Sequence, residues 1–184
     1  VVILATGSTP ARPYWVPAEA PAGGPRVADV TEVLRGEAAP AGSVVVVDEI
    51  GFHHATSVAE LLADRGCLVE VLTSGMVVGQ DLGITLDMEG WLMRAHAKGI
   101  ALATDLVVTG LGDGALQLLH HPTGRTETRR PDWVVLAVPA RADDALYREL
   151  AAAGGIEVHR VGDCVAPRRA HAAVVDGDRI GGRL

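Results

Sequence analysis

The sequence predicts an α/β fold in which one subdomain is inserted between two pieces of another. Three observations carry this. Residues 43–72 read as strand, turn, helix and strand: Ser-Val-Val-Val-Val-Asp (43–48), a turn at Glu49, Ile50 and Gly51, a helical stretch from His54 to Arg65 closed by Gly66, and a second strand from Leu68 to Leu72. Short, β-branched, fully apolar runs of this kind suit a parallel strand covered on both faces. Two further apolar strands, each ending at a glycine, stand far apart on either side: Val-Ile-Leu-Ala-Thr-Gly-Ser-Thr-Pro (2–10) and Val-Gly-Asp-Cys-Val-Ala-Pro-Arg (161–168). Hydrophobic residues make up 48% of the chain, with 3% aromatics and 22 glycines, the composition of a fold packed from Val, Ala and Leu. A length of 184 residues suffices for one good core or two small ones.

In chain order, Val1–Ala5 reads as a strand ended by the turn Thr6-Gly7-Ser8-Thr9-Pro10. A connector rich in Pro, Ala and Gly runs from Ala11 to Gly24 and carries Tyr14 and Trp15. Val27 to Leu34 reads as a short helix or turn, and Glu37–Gly42 as a loop before the β-α-β stretch. Met76 to Gly83 is loop-like, and a helix is expected from about Thr85 to Lys98, closed by Gly99. Strands follow at Ile100–Leu111 and Ala115–His120, joined at Gly112-Asp113-Gly114. Pro122-Thr123-Gly124 marks a turn, Trp133–Val138 a buried strand, Asp143–Ala153 a helix broken by Gly154-Gly155, Ile156–Val161 a strand, and Arg169–Leu184 a terminal helix.

The β-α-β stretch is the frame in which a Rossmann-type dinucleotide site shows G-x-G-x-x-G. Here the three positions hold Val46, Asp48 and Gly51. Only the glycine needed for close helix–strand packing survives, and a carboxylate stands where backbone would approach a pyrophosphate. A carboxylate about 4–5 Å from a phosphate costs roughly 3–4 kcal/mol at an effective dielectric near 20, or roughly two to three decades in affinity. The second strand ends in Thr73-Ser74 rather than an acid for the ribose hydroxyls, Glu70 lies inside that strand, and no Arg is placed for a 2′-phosphate. The fold signal is intact and the NAD(P)H signal is contradicted. Asp48 is expected to point into the vacated pyrophosphate space at the amino end of the 54–65 helix, as an internal stand-in for the anion.

Composition excludes several classes. A net charge of −7 leaves no basic stripe for nucleic acid, and Arg129-Arg130 and Arg168-Arg169 are isolated pairs. No apolar run reaches the roughly 20 residues of a membrane span, and no signal peptide opens the chain. Cys67 and Cys164 have no C-x-x-C spacing and read as buried, reduced structural residues, consistent with cytoplasm. His53-His54 and His120-His121 do not chelate as pairs, since neighbours in a strand point to opposite faces. They read as solvated or capping residues, and an approach of His159 or His171 to a nucleotide is the less favoured reading of those two. Asp81, Asp87, Asp105 and Asp113 fit Asx turns. Trp91, with Leu86, Leu92 and Met93, reads as core packing. The chain opens without Met, in an apolar strand that needs partners on both edges, so a longer parent polypeptide is expected.

The strands ending at Gly7 and at Gly162-Asp163 form a matched pair. In open α/β sheets ligands lie at the carboxyl ends of strands, and Asp163, just past a strand and before a helix, can accept hydrogen bonds from ribose or ribityl hydroxyls. This pairing resembles the two-dinucleotide-domain flavoproteins related to pyridine-nucleotide disulfide oxidoreductases. More narrowly, Gly162-Asp163-Cys164-Val165-Ala166-Pro167-Arg168, Val-Asp-Glu-Ile-Gly-Phe-His-His-Ala (47–55) and Ala59-Glu60-Leu61-Leu62-Ala63 are similar to the carboxyl-terminal region of the trimethylamine dehydrogenase and 2,4-dienoyl-CoA reductase family, on its amine dehydrogenase side.

The resemblance implies a parent with an old-yellow-enzyme-like barrel carrying FMN, a 4Fe-4S cluster, and then this module. The barrel is the expected partner upstream, with a separate electron-transfer partner for the parent and neither nucleic acid nor membrane. It implies residues 1–25 and 153–184 as the two pieces of a discontinuous FAD-type domain and 26–152 as a degenerate NAD(P)H-type subdomain. Strands 1–5 and 157–161 are then expected side by side and parallel. FAD or ADP is expected at an incomplete site contributed by Thr6, Gly7, Gly162 and Asp163, with no catalytic or metal-ligating residue in this chain. The implied function is a module of an amine dehydrogenase or demethylase, not catalytically competent by itself. The alternatives are a module of an NAD(P)H-dependent enoate or 2,4-dienoyl-CoA reductase, and a non-catalytic nucleotide-binding or interaction domain.

Overall fold

A computed structural model of the chain describes residues 1–18 and 23–184; part of the expected connector, residues 19–22, lies outside them. The chain divides into two compact units, Val1–Ala11 with Pro139–Leu184, and Arg12–Val138. The unit boundaries fall at 11/12 and 138/139, where the sequence placed them at 25/26 and 152/153.

The larger unit is built on a five-stranded, wholly parallel sheet. Its strands, in spatial order, are β3 (Arg26–Asp29), β10 (Trp133–Ala137), β4 (Ser43–Asp48), β5 (Leu68–Thr73) and β6 (Ala101–Ala103). Strand alternation distributes the valines of β4 between two cores. Val44 and Val46 pack with Ala55, Val58, Ala59 and Leu62 of α2 (His53–Asp64) and with Trp91 and Ala95 of α3 (Met88–Ala97). Val45 and Val47 pack on the opposite face with Leu106 and Val108 of β7 (Leu106–Gly112) and Leu116 and Leu118 of β8 (Ala115–His120). Strands β7, β8 and β9 (Arg125–Arg129) form a three-stranded antiparallel sheet. Helices, parallel sheet and antiparallel sheet are therefore three layers. Each fully buried valine contributes about 1.5–3 kcal/mol relative to exposure, which is why this run sets the fold.

Several elements depart from the sequence reading. The span Val27–Leu34, expected as a short helix or turn, is divided: β3 is followed by α1 (Val30–Arg35), whose start is fixed by a capping box. Asp29 accepts from the backbone of Thr31 and Glu32 while Glu32 accepts from the Asp29 amide. The expected single strand 100–111 is broken at Thr104-Asp105, where Asp105 adopts φ +59° and its amide donates to the Gly75 carbonyl at 3.0 Å. β9 was unforeseen because Arg-Thr-Glu-Thr-Arg offers no apolar alternation. The helix expected from Thr85 begins at Met88, and a 3₁₀ turn spans Gln80–Thr85. Trp91 is core, donating to the Thr56 carbonyl at 3.3 Å, but Leu86 and Met93 are exposed.

In the smaller unit, β1 (Val2–Leu4) and β12 (Val158–Arg160) lie side by side and parallel, as expected, with Leu4 opposite Arg160. β2 (Ser8–Thr9) pairs antiparallel with β11 (Arg141–Ala142). Helices α4 (Ala145–Ala153) and α5 (Ala170–Gly181) complete the unit. Both cysteines are free and buried. Among the described residues no helix is long and apolar enough to cross a membrane.

Candidate nucleotide-binding site

Parallel pairing of β1 with β12 continues past their ends, since the Val161 amide donates to the Leu4 carbonyl at 2.9 Å. This brings Thr6 and Gly7 to the same edge as Gly162 and Asp163. Gly7 has φ +82° and nothing within 4 Å of where a Cβ would stand, so backbone conformation rather than packing calls for glycine. Its carbonyl accepts from the Asp143 amide at 3.0 Å, and the Thr6 hydroxyl donates to the Asp143 carbonyl at 2.5 Å. Thr6 thereby ties the turn down instead of presenting a free hydroxyl.

Asp163 is half-buried. Its Oδ2 accepts from the Ser8 hydroxyl at 3.4 Å and its Oδ1 from the Arg168 amide at 3.2 Å. An ionised carboxylate has about four acceptor positions, so two long contacts leave capacity for a vicinal diol. Gly162 has φ +71°, is buried, and donates its amide to Asp176 Oδ2 at 3.2 Å. Sequence reasoning missed Ser8, Asp143 and Asp176. The position of Asp176 directly after the apolar run Ala172–Val175 was the available signal for the last. Burial opposes ionisation of Asp176, but the Arg168 guanidinium and the Gly162 amide more than offset it, and the carboxyl is held below the usual range. His159 pairs with Glu157 at 2.9 Å, and His171 is exposed.

The other strand end, between β4 and α2, is closed by the chain itself. Asp48 is fully buried; its Oδ1 accepts from Gly51 at 2.7 Å and Ile50 at 3.2 Å, and its Oδ2 from Gly79 at 3.1 Å. The carboxylate thus lies in the turn before the helix, as an internal anion, and reaches the β5–α3 connection as well. Burial raises its pKa, with the Gly51, Gly79 and Ile50 amides acting in the opposite sense. That connection closes over the turn. The Asp81 amide donates to the Gly51 carbonyl at 2.8 Å, and Thr85 Oγ1 lies 3.3 Å from His53 Nε2. At Gly79, φ +67°, a Cβ would stand 3.0 Å from Leu82 Cδ1 and 3.1 Å from Thr56 Cγ2. Beside Asp48, the Glu49 carboxyl is raised by burial, while a hydrogen bond from Trp15 acts against that.

Glu70 accepts from Arg129 Nε through both oxygens, at 3.1 and 3.0 Å, tying β9 to β5. His120 Nδ1 lies 2.7 Å from Thr123 Oγ1, and His121 Nε2 3.0 Å from the Ser74 carbonyl. Among the described residues no group of His, Cys, Asp and Glu could hold a metal ion.

These features define a class: a mixed α/β chain with a parallel sheet, of the fold found in FAD-type pyridine-nucleotide disulfide oxidoreductases. The flavoprotein disulfide reductase RclA of Escherichia coli superposes with a TM-score of 0.61 over 98% of this chain and 44% of its own, at 16% identity. Within that class the chain is similar to amine dehydrogenases and demethylases. It is 29% identical over 216 residues to the N,N-dimethylglycine/sarcosine dehydrogenase of Chromohalobacter salexigens, covering 98% of this chain and 31% of that protein. It is 24% identical to the probable N-methylproline demethylase of Rhizobium meliloti, covering 98% of this chain and 30% of that protein. The 6-hydroxypseudooxynicotine amine oxidase of Pseudomonas geniculata N1 superposes with a TM-score of 0.85 at 26% identity, over 100% of this chain and 29% of its own. A 2-naphthoyl-CoA reductase gives a TM-score of 0.76 at 25% identity, over 99% of this chain and 26% of its own. The chain spans about a third of the length of the curated relatives it matches. No protein-family model matches it.

Proposed function

We propose that the chain is the dinucleotide-fold module of a flavin-dependent amine dehydrogenase or demethylase whose NAD(P)H site is closed by its own residues. Asp48 is the observation that carries this. A pyrophosphate needs the amides of the turn before α2, and a buried carboxylate already occupies those of Ile50 and Gly51. The residues at this end do not fit NAD(P)H, because the phosphate would meet a fixed negative charge and the 79–85 segment bonded across the turn. Relatives acting on dimethylglycine, sarcosine and N-methylproline support an amine as the parent's substrate.

In the smaller unit the residues present fit part of an FAD or ADP site. The open face of Gly7 admits close backbone approach, and Asp163, steadied by Ser8 and the Arg168 amide, accepts from sugar or ribityl hydroxyls. In the parent, a flavin and a 4Fe-4S cluster, both held outside this chain, would supply the redox chemistry. This chain holds and orients nucleotide at its 7/163 edge and excludes nicotinamide cofactor at Asp48.

The test is anaerobic flavin reduction in the parent. A methylated amine is expected to bleach the flavin and NADPH is not, while calorimetric titration of NADPH into the chain stays flat to about 1 mM, a free energy of only about −4 kcal/mol. Micromolar NADPH binding would overturn the reading. It would favour a reductase module instead, the second reading, which the likeness to 2-naphthoyl-CoA reductase supports.

A further inference from the structure

We propose that Asp176 is a positioning residue that sets the Gly162–Asp163 turn for recognition of a nucleotide's sugar or ribityl hydroxyls. The inference rests on the reading of Gly7 and Asp163 as a nucleotide-facing edge. α5 arranges its residues against simple burial energetics: Val174 and Val175 are 70% and 59% exposed, whereas Asp176 is 6% exposed. Aspartate is rarely buried unless its charge is paired and hydrogen-bonded.

Its partners are the two sides of the turn. Oδ2 accepts from the Gly162 amide at 3.2 Å and from the Arg168 guanidinium. Arg168 in turn donates its own amide to Asp163 Oδ1. Asp163 is thus held through its preceding residue and through Arg168, and Asp176 is the common anchor of both links. The anchor is rigid because a Cβ on Gly162 would stand 3.3 Å from the Cβ of Ala173, three residues before Asp176 on the same helical face. The charged groups that face Asp176 are Arg168, from the segment before α5, and Arg179, from α5 itself, its Nη2 3.6 Å from Oδ1. Both favour the carboxylate, so the anchor is charged at neutral pH.

Asp176→Asn keeps the shape and removes the charge. FAD and ADP, titrated separately into the 184-residue chain by calorimetry, distinguish ribityl from ribose as the hydroxyl source. Asp176→Asn is expected to weaken whichever binds by about tenfold, the scale of one charge-assisted hydrogen bond. The exposed Asp178→Asn on the same helix is expected to leave affinity unchanged. In ¹⁵N-resolved spectra the Gly162 amide proton is expected to move upfield in Asp176→Asn and to stay in place in Asp178→Asn, a signature that general loosening does not mimic. Should Asp176→Asn fail to fold, Arg168→Gln breaks the second link at a partly exposed residue and carries the same expected loss. Binding to Asp176→Asn, or to that substitute, with the affinity of the unmodified chain overturns the inference while leaving the 7/163 site intact. Absence of both FAD and ADP binding to the unmodified chain overturns the site and this inference together.

Discussion

Two buried carboxylates, Asp48 and Asp176, are each spent on backbone amides, and they titrate in opposite senses. The folded pKa of Asp48 lies above its unfolded value. Its contribution is therefore fully present below the unfolded pKa and is lost as pH rises through the folded pKa. The stability of the unmodified chain minus that of Asp48→Asn should be larger near about pH 4 than near about pH 7, measured by urea unfolding at both. For Asp176 the folded pKa is lowered, so its contribution is present above the unfolded value and lost as pH falls through the folded one. The corresponding difference for Asp176→Asn should shrink on acidification. The same slope for both would contradict the environments described. Asp48→Ala removes the acceptor for the Ile50, Gly51 and Gly79 amides and should cost about 3 kcal/mol, more than the slight loss that helix-dipole compensation alone suggests for a truncation here. A cost under about 1 kcal/mol would mean water replaces it. NADPH should still fail to bind, because Val46 and the 79–85 segment remain.

At the scale of elements, the antiparallel β7–β8–β9 sheet covers one face of the parallel sheet and is pinned at its polar strand by Arg129–Glu70. Arg129 is 30% exposed and Glu70 22%, which makes this a partly screened pair worth about 0.5–1.5 kcal/mol. Arg129→Gln should lower stability by that amount and speed amide exchange in β9 more than in β7 or β8. Uniform exchange across the sheet would show that β8 pairing alone holds β9. The segment closing the β4–α2 turn offers a sharper test. Gly79→Ala places a Cβ against Leu82 and Thr56 at positive φ, costing about 1–3 kcal/mol through strain and overpacking.

For the whole molecule, buried apolar residues are unevenly shared. Both hydrophobic cores lie in the unit Arg12–Val138, whereas the buried hydrophobic residues of the other are Leu4, Cys164 and Ile180. All three tryptophans, Trp15, Trp91 and Trp133, also fall in the larger unit. Tryptophan fluorescence therefore reports only that unit, while far-ultraviolet circular dichroism reports both. In urea the dichroism is expected to begin its transition at lower denaturant than the fluorescence. Coincident curves would show a single cooperative unit.

The valine run, the β-α-β order, the glycine-ended strands and the parallel β1–β12 pair were legible in the sequence because each rests on local apolar pattern or on a turn residue. So was the loss of the glycines at Val46 and Asp48, and with it the charge that faces any phosphate there. The Asp29–Glu32 capping box is equally present in the letters, inside the span Val27–Leu34 that reads as a short helix or turn. β9 had no such signal: its residues are polar on both faces, and only pairing with β8 and the Glu70 carboxylate make it a strand. The break at Asp105 depends on Gly75, distant in sequence, and the closing of the β4–α2 turn depends on Gly79 and Asp81 meeting Asp48 and Gly51. Asp176 reads as a surface charge on a helix until Gly162 and Arg168 are folded onto it. The sequence by itself determined the class of fold and that Val46 and Asp48 stand where a dinucleotide frame carries glycine. Tertiary structure alone decided which carboxylates are buried and which amides they hold, since a hydrogen-bond partner many residues away leaves no local periodicity to read.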